Sequence, residues 1–167
     1  ESGEFIHLHP ASRWPFKCWP AERNALLIDA LLQRGQKVVL TAAPETQEME
    51  YVSKIFTACA EKPINLAGRL SLKGLAALTA ESRLFVGVDS APMHIACAMG
   101  TPVVALFGPS GEAEWGPWSP SVRVVASETH ACRPCGIDGC GGGKISECLE
   151  TLPEERVLHA VLEMLHR

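Results

Sequence analysis

Leu84-Phe85-Val86-Gly87-Val88-Asp89-Ser90-Ala91-Pro92-Met93-His94-Ile95-Ala96-Cys97-Ala98-Met99-Gly100-Thr101-Pro102-Val103-Val104-Ala105-Leu106-Phe107-Gly108 is the stretch that decides the fold. Leu84–Val88 is an apolar run that reads as a buried strand. Asp89-Ser90-Ala91-Pro92 opens a helix that runs to about Met99, and Gly100 closes it. Pro102–Phe107 is a second apolar strand, ending at Gly108. Strand, helix and strand in so few residues form a parallel unit covered on both faces.

The same alternation extends in both directions. Toward the N-terminus lie strands at Phe5–His9, Lys37–Thr41 and Pro63–Leu66. Between them, one helix opens at Pro20, with Leu26, Leu27, Ala30 and Leu31 at helical spacing and Gly35 at its end. A second helix runs from about Glu45 to Glu61, and a third from a Ser71 cap to about Ser82. Toward the C-terminus come a loop at Ser110–Pro120, a strand at Val122–Ala126 and a Cys-rich loop over 130–148. A closing helix at Pro153–His166 presents Val157, Val161, Leu162 and Leu165 on one face. The whole reads as one α/β domain over 1–167, a Rossmann-like, doubly wound parallel sheet of about six strands in the order 3-2-1-4-5-6.

Composition agrees with a soluble globular domain: 167 residues, 47% hydrophobic and 20% charged. A net charge of -4 weighs against a nucleic-acid platform. No apolar run reaches the roughly 18 residues of a membrane span. The chain opens Glu1-Ser2-Gly3-Glu4 without an initiator Met and runs straight into Phe5, the expectation for an excised domain. Cys18, Cys59 and Cys97 sit in apolar or helical contexts, as reduced core thiols do, which fits a reducing, cytosolic setting.

Ligands of such sheets bind at the carboxyl ends of the strands, where strand order reverses. Here that crevice falls between the first and fourth strands. Ser12, Arg13, Trp14 and Lys17 follow the first strand, Glu45 the second, Asp89, Ser90 and the helix bearing His94 the fourth, and Gly108-Pro109-Ser110 the fifth. The amides and dipole of the helix after Asp89, with the Lys17 charge, suit a diphosphate; equally, Ser90 can be a plain cap and Pro92 a plain helix starter. Glu45 can bind ribose hydroxyls or simply favour the first turn of its helix. Asp89 can hold sugar hydroxyls or cap local amides. His94, a lone helical histidine, reads as structural more readily than as a ligand contact, and Trp14 and Trp19 read as packing anchors. No G-x-G-x-x-G follows the first strand, and no Walker A, H-E-x-x-H or G-x-S-x-G occurs.

Cys132, Cys135, Cys140 and Cys148 have the ligand count of a zinc or iron–sulfur site, though not the spacing of paired knuckles. Metal, one or two disulfides, and free thiols all remain open.

The blocks Phe85–Pro102 and Leu106–Ser110 together resemble the signature of glycosyltransferase family nine, the lipopolysaccharide heptosyltransferases. Ser12-Arg13-Trp14-Pro15-Phe16-Lys17-Cys18-Trp19-Pro20 is similar to the family's lysine loop, and Ala43-Pro44-Glu45 sits where the family carries its nucleotide-binding acid. The subtype it most resembles is the one that adds the branch heptose of the inner core. The resemblance implies the C-terminal, donor-binding half of a two-domain GT-B enzyme, whose N-terminal acceptor domain is not in this chain. It implies inverting transfer of heptose from ADP-heptose to a lipopolysaccharide core sugar, with no metal or other cofactor. Lys17 would neutralise the leaving diphosphate. Ser12 and the Ser90 and Ala91 amides would hold phosphate oxygens. Glu45 would bind ribose, and Asp89, with His94 close by, the donor sugar. Ala91 stands where some relatives carry Gly, which restricts backbone approach there. The whole enzyme would work at the cytosolic face of the bacterial inner membrane, taking its acceptor through the other domain. Two other readings are a UDP-sugar epimerase-like domain, such as a UDP-N-acetylglucosamine 2-epimerase, and a non-catalytic metal-binding module built on the Cys loop.

Overall fold

A computed structural model describes residues 4–166; the opening Glu1-Ser2-Gly3 lies outside the described residues. The elements run β1 (Phe5–His9), α1 (Ala21–Leu32), β2 (Lys37–Leu40), α2 (Thr46–Ala58), β3 (Ile64–Asn65), α3 (Leu72–Glu81), β4 (Leu84–Val88) and α4 (Ala91–Ala98). They continue with β5 (Val103–Phe107), α5 (Glu112–Trp115), β6 (Val122–Ala126), α6 (Glu147–Glu150) and α7 (Glu154–Leu165). The six strands form one sheet in the order β3-β2-β1-β4-β5-β6, and each described pairing is parallel.

The period-2 geometry of a strand sends alternate residues to opposite faces. In β4, Leu84, Val86 and Val88 enter the larger core with β1, α1 and α7, while Phe85 enters a smaller one. In β5, Val104 and Leu106 join the first, and Val103, Ala105 and Phe107 the second, beneath Met93 and Ala96 of α4. Every residue of β4 and β5 is buried, which explains why those runs are apolar throughout instead of alternating. At Gly87 a side chain has no room: a Cβ there would lie 2.7 Å from the Phe85 ring and 2.9 Å from the His9 carbonyl oxygen.

Several sequence-based boundaries shift, each for a local reason. Leu26 is 50% exposed; the buried stripe of α1 is Asn24, Leu27, Ile28 and Leu31, with Ala25 beside it. At 100° per residue Leu26 falls off that stripe. The helix expected to reach Glu61 stops at Ala58. Lys62 Nζ donates to the carbonyls of Phe56 (2.8 Å) and Cys59 (2.6 Å), and Asp29 accepts from the Ala60 and Glu61 amides. Those bonds take the groups another turn would need. The loop Ser110–Pro120 contains one helical turn, α5, with Glu112 and Glu114 at its positive end. The Cys-rich loop likewise contains a 3-10 turn, Cys140–Gly142, and α6.

Trp19 fixes the loop after β1. It is 1% exposed, and its Nε1 donates to the Leu152 carbonyl at 3.0 Å. The Tyr51 hydroxyl donates to the Trp19 carbonyl, and Asn24 Nδ2 reaches the same hydroxyl at 2.9 Å. Ser146 Oγ donates to the Phe16 carbonyl at 2.7 Å. A loop of nine or so polar and aromatic residues is thereby held against α1, α2 and the segment entering α7.

Candidate functional site

A cavity of about 640 Å³ opens at the carboxyl ends of β1, β2 and β4. Its walls come from four places in sequence: His9, Ser12, Arg13, Trp14 and Lys17 after β1; Ala42, Ala43, Pro44 and Glu48 after β2; Leu70, Ser71, Leu72 and Leu75 at the start of α3; and Asp89, Ser90, Ala91, Pro92 and His94 at the start of α4. Six of the seven candidates from the sequence, Ser12, Lys17, Asp89, Ser90, Ala91 and His94, therefore meet in one hollow.

Lys17 is carried by a 3-10 turn, Pro15–Lys17, whose conformation Pro15 presets. Its Nζ lies 2.6 Å from Asp89 Oδ2, across 72 residues of sequence. Asp89 is 6% exposed, so its carboxylate depends on this partner. Ser90 occupies the N-cap position of α4 in extended conformation, but its hydroxyl turns back to the Val88 carbonyl at 3.3 Å. The simple-cap reading of Ser90 thus does not hold, and among the described residues no side chain caps the positive end of α4. Ser12, buried, accepts from the Trp14 amide at 3.2 Å.

His94 is exposed at the rim instead of packed in the core. Trp14 is not a buried anchor like Trp19. It is 48% exposed, with the Arg13 guanidinium 5.6 Å from its ring centre. Glu45 is the exception among the seven. As N-cap of α2 it is exposed, and it lines an adjoining hollow with Thr46 and Gln47. Arg13, Ala43 and Glu48 border both hollows. Glu48, one turn along α2, is the acid that faces the main cavity; it is 7% exposed and accepts from the Ala43 amide at 3.1 Å. Gly108-Pro109-Ser110 does not reach the cavity. Arg133 Nε donates to the Gly108 carbonyl at 2.6 Å, the Cys135 and Gly136 amides donate to the Pro109 carbonyl, and Leu149 fills the space where a Gly108 side chain would be.

Sequence reading missed His9, Glu48 and the Leu70, Leu72 and Leu75 wall. The signal for the histidines was available: His7 and His9 stand two apart in a strand, so they share a face. Burial lowers the His7 pKa to about 3, helped by its neighbour His9, and lowers His9 to about 4. Both rings are neutral at physiological pH.

Among the described residues all seven thiols are free, and no three His, Cys, Asp or Glu side chains are arranged to hold an ion. Cys132, Cys135 and Cys140 are exposed, while Cys148 is buried and its thiol is pushed up by desolvation. Among the same residues no helix is long and apolar enough to cross a membrane.

The family model of glycosyltransferase family 9 (heptosyltransferase) matches residues 2–145. This chain belongs to glycosyltransferase family 9. It is 43% identical over 119 residues to lipopolysaccharide heptosyltransferase 3 of Escherichia coli K12, an alignment that covers 71% of this chain and 35% of that protein. Its fold matches the structure of E. coli ADP-heptose lps heptosyltransferase II with a TM-score of 0.83 and 28% identity, over 99% of this chain and 47% of the other. The E. coli heptosyltransferase WaaC, solved with ADP, shares the fold at a TM-score of 0.78 and 21% identity, over 98% of this chain and 45% of the other. The family 9 chain thus spans about a third to a half of the length of these relatives. Membership favours neither the epimerase-like reading nor that of a non-catalytic module.

Proposed function

We propose that this chain is the donor-binding half of an inverting, metal-independent heptosyltransferase that moves heptose from ADP-heptose to the lipopolysaccharide inner core. The observation that carries the proposal is the Lys17–Asp89 pair, held at 2.6 Å beside the uncapped positive end of α4. Departure of ADP builds negative charge on the diphosphate. A preorganised cation and helix amides placed there stabilise that charge without having to reorganise as it forms. Lys17 would move from Asp89 to the diphosphate, taking the part a metal ion plays elsewhere. Asp89, released, would accept hydrogen bonds from donor-sugar hydroxyls. The Ser12 hydroxyl and the Ser90 and Ala91 amides would hold phosphate oxygens, with His94 at the rim. Glu45, or Glu48 one turn deeper, would take the ribose.

The base that deprotonates the acceptor would come from the enzyme's other half, so this chain would bind donor without turning it over. The whole enzyme would act at the cytosolic face of the inner membrane, where its lipid-linked acceptor is displayed.

Calorimetric titration of the chain with ADP, UDP and GDP tests the reading. ADP is expected to bind best, and Lys17→Ala to weaken it by about 10- to 100-fold, the worth of a charge-assisted contact. Preference for UDP, or ADP binding indifferent to Lys17, would overturn it.

A further inference from the structure

One group in the cavity has no part in that chemistry. His9 is 4% exposed, yet it lines the cavity floor. Its Nδ1 lies 2.8 Å from Thr41 Oγ1; the same hydroxyl lies 2.7 Å from His7 Nε2, and His7 Nδ1 lies 3.0 Å from Thr79 Oγ1. Thr79 Oγ1 donates its one proton to the Leu75 carbonyl at 2.7 Å. That donation sets the direction of the whole chain. Thr79 has only lone pairs left for His7, so His7 Nδ1 carries the proton and donates. Neutral His7 then accepts at Nε2, and Thr41 must supply that proton. With its proton spent, Thr41 can only accept from His9, whose Nδ1 carries the second ring proton. His9 Nε2 is left as a bare lone pair.

No polar side-chain atom sealed from solvent lacks a partner among the described residues. The Nε2 atom, which takes no part in this chain, is therefore where His9 meets the cavity. Strand order β2-β1-β4 places His9 between the turn at Ala42–Pro44 and the turn at Asp89–Ala91, and His9 pairs in register with Gly87.

Resting on the nucleotide-sugar reading above, we infer that His9 is a ligand-recognition residue whose Nε2 accepts a hydrogen bond from a neutral O–H or N–H of the bound nucleotide-sugar. A diphosphate cannot be its partner, because ionised phosphate oxygens offer only lone pairs. The complementary groups are a ribose hydroxyl, the exocyclic amine of the base, or a hydroxyl of the transferred sugar. Because the Thr41–His7–Thr79 chain anchors the proton on Nδ1, the site discriminates against a ligand that presents an acceptor at this point. Such a ligand leaves two lone pairs facing in a buried place, which costs more than a missed bond in water.

His9→Asn keeps an N–H toward Thr41 and deletes the Nε2 acceptor. His9→Gln carries an amide oxygen out to roughly where Nε2 was. Both are titrated against inorganic pyrophosphate, ADP, 2′-deoxy-ADP, 3′-deoxy-ADP, purine riboside diphosphate and ADP-glucose, with thermal melting as a check on folding. His9→Asn is expected to bind pyrophosphate like the parent and to lose about tenfold toward whichever probe carries the recognised group. Loss on ADP points to the nucleoside, and loss on ADP-glucose alone points to the sugar. The probe lacking that group binds the parent about tenfold more weakly and His9→Asn with no further loss, and His9→Gln recovers part of the affinity. Unchanged binding of all probes in His9→Asn, or equal loss on pyrophosphate and ADP, overturns the inference while the ADP-site reading stands. If the parent binds none of the nucleotides, both fall.

Discussion

Lys17 and Asp89 show how one contact can hold a site ready without filling it. The pair lies 2.6 Å apart with Asp89 almost sealed from solvent, so each charge is the other's main compensation. On the proposed reading, an incoming diphosphate would compete with the carboxylate for the ammonium. Asp89→Asn removes that competitor along with a negative charge near the phosphate position. It is expected to strengthen pyrophosphate binding several-fold and to erase any extra affinity of ADP-glucose over ADP; titration of the two probes checks both signs. Lys17, Asp89 and Ser12 were legible because each follows a strand at the ligand-binding end of the sheet. For His9 the spacing to His7 gives a shared face, but that this face opens on the cavity depends on neighbours distant in sequence. Glu48 was not read from the sequence for a related reason, although Glu45 was. Three residues apart on a helix start, only the second points inward, and a cap position is set by where the helix begins.

At the level of elements, α3 and α4 carry the cavity wall through their first turns. Ser71 caps α3, with Oγ accepting from the Gly74 amide at 3.1 Å, and the same residue lines the cavity with Leu70, Leu72 and Leu75. Ser71→Ala should cost about 1 kcal/mol in urea unfolding, the usual worth of such a cap, with the unfolding slope unchanged. The strands β1, β4 and β6 and the cap of α3 stand where the sequence puts them. The ends of α1 and α2 and the contents of the two long loops do not. Asp29 closes α2 by accepting from the Ala60 and Glu61 amides, 31 and 32 residues away, and periodicity carries no trace of that. Arg133 pins the Cys-rich loop to the carboxyl end of β5 and to α5 by contacts 21 to 25 residues away, and the cavity is left to the ends of β1, β2 and β4.

The molecule as a whole holds two neutral histidines, one lining the cavity and one beside it, and this links stability to acid. Folded His7 titrates at about 3 and His9 at about 4, while an unfolded histidine titrates near ~6.5. The unfolded chain therefore binds protons first as pH falls. The contribution is whole above about pH 6.5, declines by about 1.4 kcal/mol per pH unit for each ring below it, and levels off only below the folded values. Melting temperature should drop steeply between pH 6 and pH 4, and His9→Asn, with one titrating ring fewer, should show a shallower drop over the same range. Parallel curves for parent and variant would mean that His9 is not kept neutral by the fold.

The sequence by itself determined the class of fold, the strand order and the end of the sheet where a ligand belongs. Those follow from local rules: periodicity chooses strand or helix, and the handedness of parallel crossovers orders the strands. Only the tertiary structure decided which side chains share the cavity and which way their protons point. The Lys17–Asp89 pair and the His7–Thr79 bond each join residues 72 positions apart, and Thr41 is 32 and 34 positions from its two histidines. Hydrogen-bond direction depends on every member of a chain at once, and those members become neighbours only when β1 and β2 pair in the sheet and α3 packs against it.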